Sequence, residues 1–195
     1  MVTISTFNGP ITEMAISGWL SDCESTFETW EDHNPGKSLS DRQKVHAAGN
    51  SISKATPTDK LSSWWITNRK NLEMRKWDDF RDSVKEKALG SGWRLRALQK
   101  LYTASQGSQN LEDYFTALEN MKFVIDRSSK LPDIGDFEFK CHLLFHALPS
   151  IATQALKNDI RDTTFIDTSL DDIKDQLRKY GTSSADTASP SSAPT

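Results

Sequence analysis

Large apolar side chains recur along this chain at steps of three and four residues, and nowhere do apolar and polar residues alternate over the length of a strand. Ile16, Leu20, Cys23, Phe27 and Trp30 form the first such stripe. A helical turn takes 3.6 residues, so residues at this spacing share one face, whereas a strand would present every second one. The pattern restarts after each cluster of turn formers. Such a chain can bury its apolar faces only by packing short amphipathic helices on one another, and the expected fold class is all-α.

The punctuation sets the boundaries. Phe7-Asn8-Gly9-Pro10 is a turn-forming cluster, so residues 1–10 read as an extended arm with an aromatic anchor. A first helix is expected from Thr12 to Asp32, stopped by Asn34-Pro35-Gly36, and a second from Ser40-Asp41 to Ile52. Thr56-Pro57-Thr58-Asp59 opens a third, with Thr58 as its cap and Leu61, Trp64, Trp65 and Leu72 facing inward. Trp77, Phe80 and Val84 mark a fourth, ending near Leu89. Gly90-Ser91-Gly92 reads as a flexible hinge.

Beyond the hinge, a helix over Trp93–Ala104 carries Leu95, Leu98, Leu101 and Tyr102. Asn110 can cap the next, with Leu111, Tyr114, Leu118, Met121 and Ile125 on one side. A turn over Leu131–Asp136 leads to a stripe of Phe137, Cys141, Leu144 and Leu148, stopped by Pro149. An eighth helix is expected over Ser150–Ile160, and a last one with Leu170, Ile173, Leu177 and Tyr180, ended by Gly181. The organisation expected is two small helical bundles, residues 11–89 and 93–181, joined by the hinge. Residues 182–195 consist of Ser, Thr, Ala and Pro with one Asp, too little apolar surface to fold, and read as a tail or linker.

With 195 residues, 36% of them hydrophobic, the chain can form one domain or two small ones. A net charge of −3 implies no general attraction to polyanions. The charge is uneven, however. Glu13, Asp22, Glu24, Glu28, Glu31 and Asp32 stand in a first segment without Lys or Arg, while bases outnumber acids from Arg69 to Lys100. The two segments could complement each other between copies, or the basic one could touch nucleic acid weakly. Cys23 and Cys141 lie among apolar residues, as reduced core thiols do. No apolar run approaches the ~20 residues that cross a bilayer. Met1-Val2-Thr3-Ile4-Ser5 lacks a signal peptide's pattern, and Val2 excludes N-myristoylation. A soluble intracellular chain is expected.

Chemistry is sparse. His142 and His146 have metal-ligand spacing, but Leu143 stands where a zinc protease carries Glu. Gly90-Ser91-Gly92 lacks the Lys-Ser/Thr that completes a phosphate loop, and neither cysteine has an activating neighbour. Asp78-Asp79 and Asp171-Asp172 fall in first turns of helices, where carboxylates favour the dipole. No catalytic, cofactor or metal site is expected. Trp64, Trp65 and Trp77 lie on apolar stripes and read as packing anchors rather than base-stacking platforms. Trp19, at the edge of its stripe, is a candidate contact.

The order of these features resembles the Gag capsid region of gypsy-type LTR retrotransposons. The resemblance runs through Phe7-Asn8-Gly9, Trp19 with Phe27, Trp64-Trp65 and Trp77-Asp78-Asp79-Phe80. It continues through Arg96–Leu101, the polar loop, Leu111-Glu112-Asp113-Tyr114-Phe115 with Leu118, and Phe145-His146-Ala147-Leu148-Pro149. It covers roughly residues 5–181. Two departures stand out: Ala147 replaces the family's usual Gly, and of the retroviral major homology region only Gln106-Gly107 and a displaced Glu112 are present.

The resemblance implies capsid-like N-terminal and C-terminal domains and self-assembly into a homo-oligomeric shell of pentamers and hexamers enclosing RNA, in cytoplasmic virus-like particles. It implies no membrane, small-molecule substrate or enzymatic activity. The alternative is a domesticated Gag-like module that binds a partner peptide or carries RNA. Phe7, Trp19, Leu170, Ile173 and Leu177 are the candidate assembly contacts, and Arg69, Lys70, Arg94 and Arg96 the candidate RNA or charge-complementary contacts.

Overall fold

The computed structural model describes residues 2–126 and 132–183. Its regular elements are all helices: α1 (Glu13–His33), α2 (Asp41–Asn50), α3 (Asp59–Leu72), α4 (Trp77–Leu89), α5 (Trp93–Thr103), α6 (Leu111–Asp126), α7 (Asp136–Phe145), α8 (Pro149–Asn158), α9 (Asp162–Phe165) and α10 (Leu170–Ser183). The all-α expectation holds. The single turn of α9 is too short to carry a periodic signal. Leu131, within the expected turn, and residues 184–195 of the expected tail lie outside the described residues.

The chain divides into two compact units, Met1–Ala97 with Phe123–Asp133, and Leu98–Lys122 with Ile134–Thr195. The division falls inside α5 and inside α6. Gly90-Ser91-Gly92 lies within the first unit. Gly90 ends α4 at φ +84°, a conformation only glycine adopts without strain. The Arg96 guanidinium donates to the Leu89 and Ser91 carbonyls at 2.7 Å, tying down the expected hinge segment.

In the first unit, Thr12 starts α1 by accepting the Ala15 N–H at 3.2 Å. Ser40 and Gln43 close a capping box on α2, worth about 1 kcal/mol. Thr58 precedes α3 as expected but does not cap it, because its hydroxyl donates back to the Ser53 and Ala55 carbonyls. Ile16, Leu20, Cys23 and Phe27 of α1 join Val45, Leu61, Trp65, Leu72, Trp77, Phe80 and Val84 in one core. Aromatic contacts run through it. Phe27 stands edge-on to Trp77 at 5.1 Å, Trp77 tilts on Phe80 at 5.7 Å, and Phe80 stands edge-on to Trp65 at 5.9 Å. Each pair adds about 0.5–1.5 kcal/mol beyond burial. The Trp65 indole lies flat on Gly49 of α2, where a Cβ would meet its ring at 2.4 Å.

The arm is anchored by Phe7, whose N–H donates to the Ser51 carbonyl and whose carbonyl accepts the Ser53 N–H, both at 2.9 Å. This single parallel bridge to Ile52 is the only β pairing among the described residues. Two buried cations complete the unit. Lys85 Nζ donates to the Val124 carbonyl beneath the Trp93 ring, and Arg94 donates to the Pro132 carbonyl at 2.9 Å.

In the second unit α10 packs on α7 and α8, with Ile173 and Leu177 fully buried. Asn110 caps α6 as expected, accepting the Asp113 N–H at 2.8 Å. Tyr114 donates its hydroxyl to the carbonyls of His142 and Leu143, in the last turn of α7. Gly181 does not end α10, which continues to Ser183. It is the point of closest approach to Leu111, whose Cδ1 would lie 2.3 Å from an added Cβ.

Two stripes differ from expectation. On α5, Ala97 and Leu101 are buried while Leu95 and Tyr102 are exposed. On α7, Phe139, Leu143 and Leu144 face the interior, while Phe137 and Phe145 face out. The helix Asp136–Phe145 carries apolar residues around most of its circumference, so periodicity alone leaves its rotation open.

Candidate functional site

Most of the expected contact residues are interior. Phe7 and Trp19 are each only 6% exposed, and their rings stack at 5.0 Å. The Trp19 N–H donates to Ser51 Oγ at 3.3 Å. Trp19 is therefore core: the arm covers what would have been its open side. Ile173 and Leu177 are also core, and Leu170 is half-buried. These four buried side chains are not available to a neighbouring chain.

Arg94 is likewise buried, and burial pushes its guanidinium below its usual range despite nearby Asp82. Arg96 is exposed but engaged with the α4–α5 turn. Arg69 and Lys70 remain on the surface of α3. The acidic first helix is answered within its own unit. Glu24 Oε1 accepts the Trp77 N–H at 2.9 Å and Arg81 at 2.5 Å, and Glu31 accepts the Leu39 N–H at 2.9 Å with Lys44 at 3.5 Å. Part of the charge asymmetry expected to act between copies is thus used inside one.

The first unit also holds an open groove of about 660 Å³. Val2, Ile4, Trp30, Leu39 and Ala47 give it apolar walls. At its polar end Glu73, nearly buried, accepts Arg69 Nε at 2.7 Å and faces His46 Nδ1 at 2.7 Å, with Arg42 at 3.6 Å. Asn50 donates to His46 Nε2 at 2.9 Å, which places the ring proton on Nδ1, towards Glu73. Hydrogen bonds from Arg69 first, then His46, hold the Glu73 carboxyl below the usual range. Arg42 keeps an exposed guanidinium beside this neutralised centre. Such a groove suits an extended apolar segment ending near an acidic group; it has no nucleophile with a base. The Arg69/Glu73 step of four residues was a legible signal for part of this cluster, but nothing local tied His46 to it.

In the second unit the His142 and His146 rings lie 5.1 Å apart, and Tyr102 stands edge-on to His142 at 4.9 Å. Burial, then His146, holds His142 below its usual value. Among the described residues no group of three His, Cys, Asp or Glu is placed to hold a metal. Burial pushes both thiols up, strongly for Cys23, so neither is primed as a nucleophile. Among the described residues, no helix is long and apolar enough to cross a membrane.

The outward residues that sequence reasoning missed are Phe137 and Phe145, 56% and 62% exposed; Ile166, 70% exposed, is tied to the same helix through Lys140. Comparison with protein-family models, with curated proteins and with solved structures gave no match.

Proposed function

We propose that this chain is a Gag-type capsid protein of the gypsy-type LTR retrotransposon class, whose copies assemble into a shell enclosing RNA. The observation that carries the reading is the ordered aromatic pattern. Phe7, Trp19, Phe27, Trp65, Trp77 and Phe80, which bear the resemblance in the first half, belong to a single helical core. A pattern that closes one interior leaves the helix exteriors free to tile.

The second unit supports it through Gln106, the residue matching the Gln of the major homology region. Gln106 is buried, its carbonyl accepts the Leu148 N–H at 3.0 Å, and its amide donates to the Gln109 carbonyl at 3.1 Å. Glu112, displaced in sequence, accepts Arg178 Nε at 2.6 Å and Arg178 Nη2 at 2.9 Å, while Nη1 donates to Asp175. Many weak contacts between such rigid bodies suffice for a stable particle by multivalency. In this reading the chain performs no catalysis, its partner is itself, and RNA is held weakly.

The test is imaging of the purified full chain by electron microscopy, with light scattering at moderate salt. Particles support the reading. A strictly monomeric protein at high concentration refutes it.

The groove favours a second reading, a domesticated Gag-like module that holds a peptide. Peptides selected on the chain should then lose affinity when Arg42 and Arg69 are changed to Glu, in samples that form no particles.

A further inference from the structure

Glu138, His142 and His146 follow one another at steps of four along α7 and its C-cap, so a carboxylate and two imidazoles share one face. Tyr102 of α5 stands against this row: its hydroxyl donates to Glu138, and its ring lies edge-on to His142 at 4.9 Å. The His146 ring lies 5.1 Å from the same imidazole. The backbone of the turn is held, since the His142 carbonyl accepts the Tyr114 hydroxyl of α6 at 3.0 Å and the His146 N–H at 3.2 Å. The ring is less well provided: His142 is buried, and its Nδ1 has no hydrogen-bond partner.

A neutral imidazole tolerates that seat, because it can carry its one proton on Nε2 and leave Nδ1 bare. A protonated imidazole does not. Both nitrogens then donate, and the Nδ1–H would be a buried donor without an acceptor. Burial first, then His146, holds His142 below its usual value, while Glu138 pulls the other way. The remaining charged groups around α7 are engaged elsewhere or lie in solvent. On α10, Lys174 pairs with Glu119, Arg178 with Glu112 and Lys179 with Asp159. Lys122 of α6 lies over the Phe139 ring, and Lys140 donates to the Ile166 carbonyl. Lys100 of α5 and Lys157 of α8 are exposed.

We infer that Glu138 is an acceptor contested by two helices: acid draws the protonated His142 ring out of its seat to Glu138, displacing the Tyr102 hydroxyl and untying α5 from α7. A carboxylate one turn ahead of a cation is the favourable orientation of such a pair, and the last turn of a helix favours positive charge. An imidazolium also brings Glu138 a full Coulomb attraction that the neutral phenol lacks. To reach it the ring must leave its edge contact with Tyr102, so the joint loses its ring contact and its hydrogen bond in one exchange. The exchange takes up one proton, so the ratio of open to closed joint rises by up to about tenfold per pH unit as pH falls. It takes place within one copy, so the presence or absence of particles bears only on the capsid reading.

The test is hydrogen exchange of the full chain, read by mass spectrometry as pH is lowered through the 6.5 of a free histidine, with rates corrected for their intrinsic pH dependence. Peptides from the C-terminal halves of α5 and α7 are expected to lose protection together, while those of α10 keep theirs. Equal loss in α10 means that the whole second unit opens, and overturns the exchange. His142→Gln is expected to hold both peptides flat. Glu138→Gln keeps an acceptor for Tyr102 but removes the charge, and is expected to shrink the acid response by roughly twofold or more. If burial alone set the response, losing that favourable charge would disfavour protonation of the folded ring further and steepen it. An unchanged or steeper response in Glu138→Gln therefore overturns the exchange. Tyr102→Phe is expected to lower protection of the same two peptides already near neutral pH, and protection equal to wild type overturns the tie. Tyr102 is exposed and Glu138 only partly buried, and a circular-dichroism melt close to wild type verifies the fold of both variants.

Discussion

Gly49→Ala is a substitution whose sign the tertiary structure reverses. In a helix interior, replacing glycine by alanine stabilises by about 0.8–1 kcal/mol, because the backbone of glycine loses more freedom on folding. Gly18 of α1 is the reference: an added Cβ there meets nothing within 4 Å. At Gly49 the added Cβ would lie 2.4–2.5 Å from three atoms of the Trp65 indole. Ordinary contact needs about 3.5–4 Å, so the ring or α2 must move by about 1 Å or more. The ring has little room, being edge-on to Phe80 at 5.9 Å and hydrogen-bonded through its N–H to Asn50 Oδ1 at 3.2 Å. Overpacking of a dense core costs about 1–3 kcal/mol or more, exceeding the backbone gain.

Gly49→Ala should therefore lower the stability of the first unit by about 1–2 kcal/mol, while Gly18→Ala raises it by up to about 1 kcal/mol. Urea unfolding followed by tryptophan fluorescence reads this directly, because Trp19, Trp30, Trp64, Trp65, Trp77 and Trp93 all belong to the first unit. Combining Gly49→Ala with Trp65→Leu should recover part of the loss. Equal stabilisation by both glycine substitutions would refute the packing of Trp65 on Gly49.

Gln106→Leu removes the acceptor of the Leu148 N–H and should destabilise the second unit by about 1–3 kcal/mol. Tyrosine fluorescence measures it, since Tyr102, Tyr114 and Tyr180 all lie in that unit. The pH dependence of the same transition follows from His142, held below the 6.5 of a free histidine. The unfolded chain then binds more protons between the two values, so stability should fall as pH drops below about 6.5 and level off below the folded value; His142→Gln should remove that slope. Arg94→Ala should cost the first unit roughly 1.5–3 kcal/mol through the lost bond to Pro132, whereas Lys70→Ala leaves stability unchanged. An Arg94→Ala protein as stable as wild type in urea would place the guanidinium in solvent.

Where one face of a helix is clearly apolar, its existence and burial were legible. The α1 stripe, α4 from Trp77 to Leu89, and the Asn110 cap of α6 all follow from local spacing and local hydrogen bonding. The exceptions share a cause. Trp19 reads as a contact at the edge of its stripe because the residue that covers it, Phe7, lies on an arm with no periodicity of its own. Phe137 reads as interior because α7 has two apolar registers, and only the rest of the second unit selects the one through Phe139 and Leu143. Gly181 reads as a stop because a glycine at a helix end and a glycine under Leu111 look alike in one dimension.

The sequence by itself determined that this chain folds into short helices and which apolar stripes most of them bury, because those depend on turns and caps a few residues long. Tertiary structure alone decided which way α7 faces, that Glu24 meets Arg81 rather than another chain, and that His46, Arg69 and Glu73 gather at one end of a groove. Apart from the Arg69–Glu73 step of four, the side-chain contacts named join residues 23 to 57 positions apart, and their geometry is fixed by how whole helices pack.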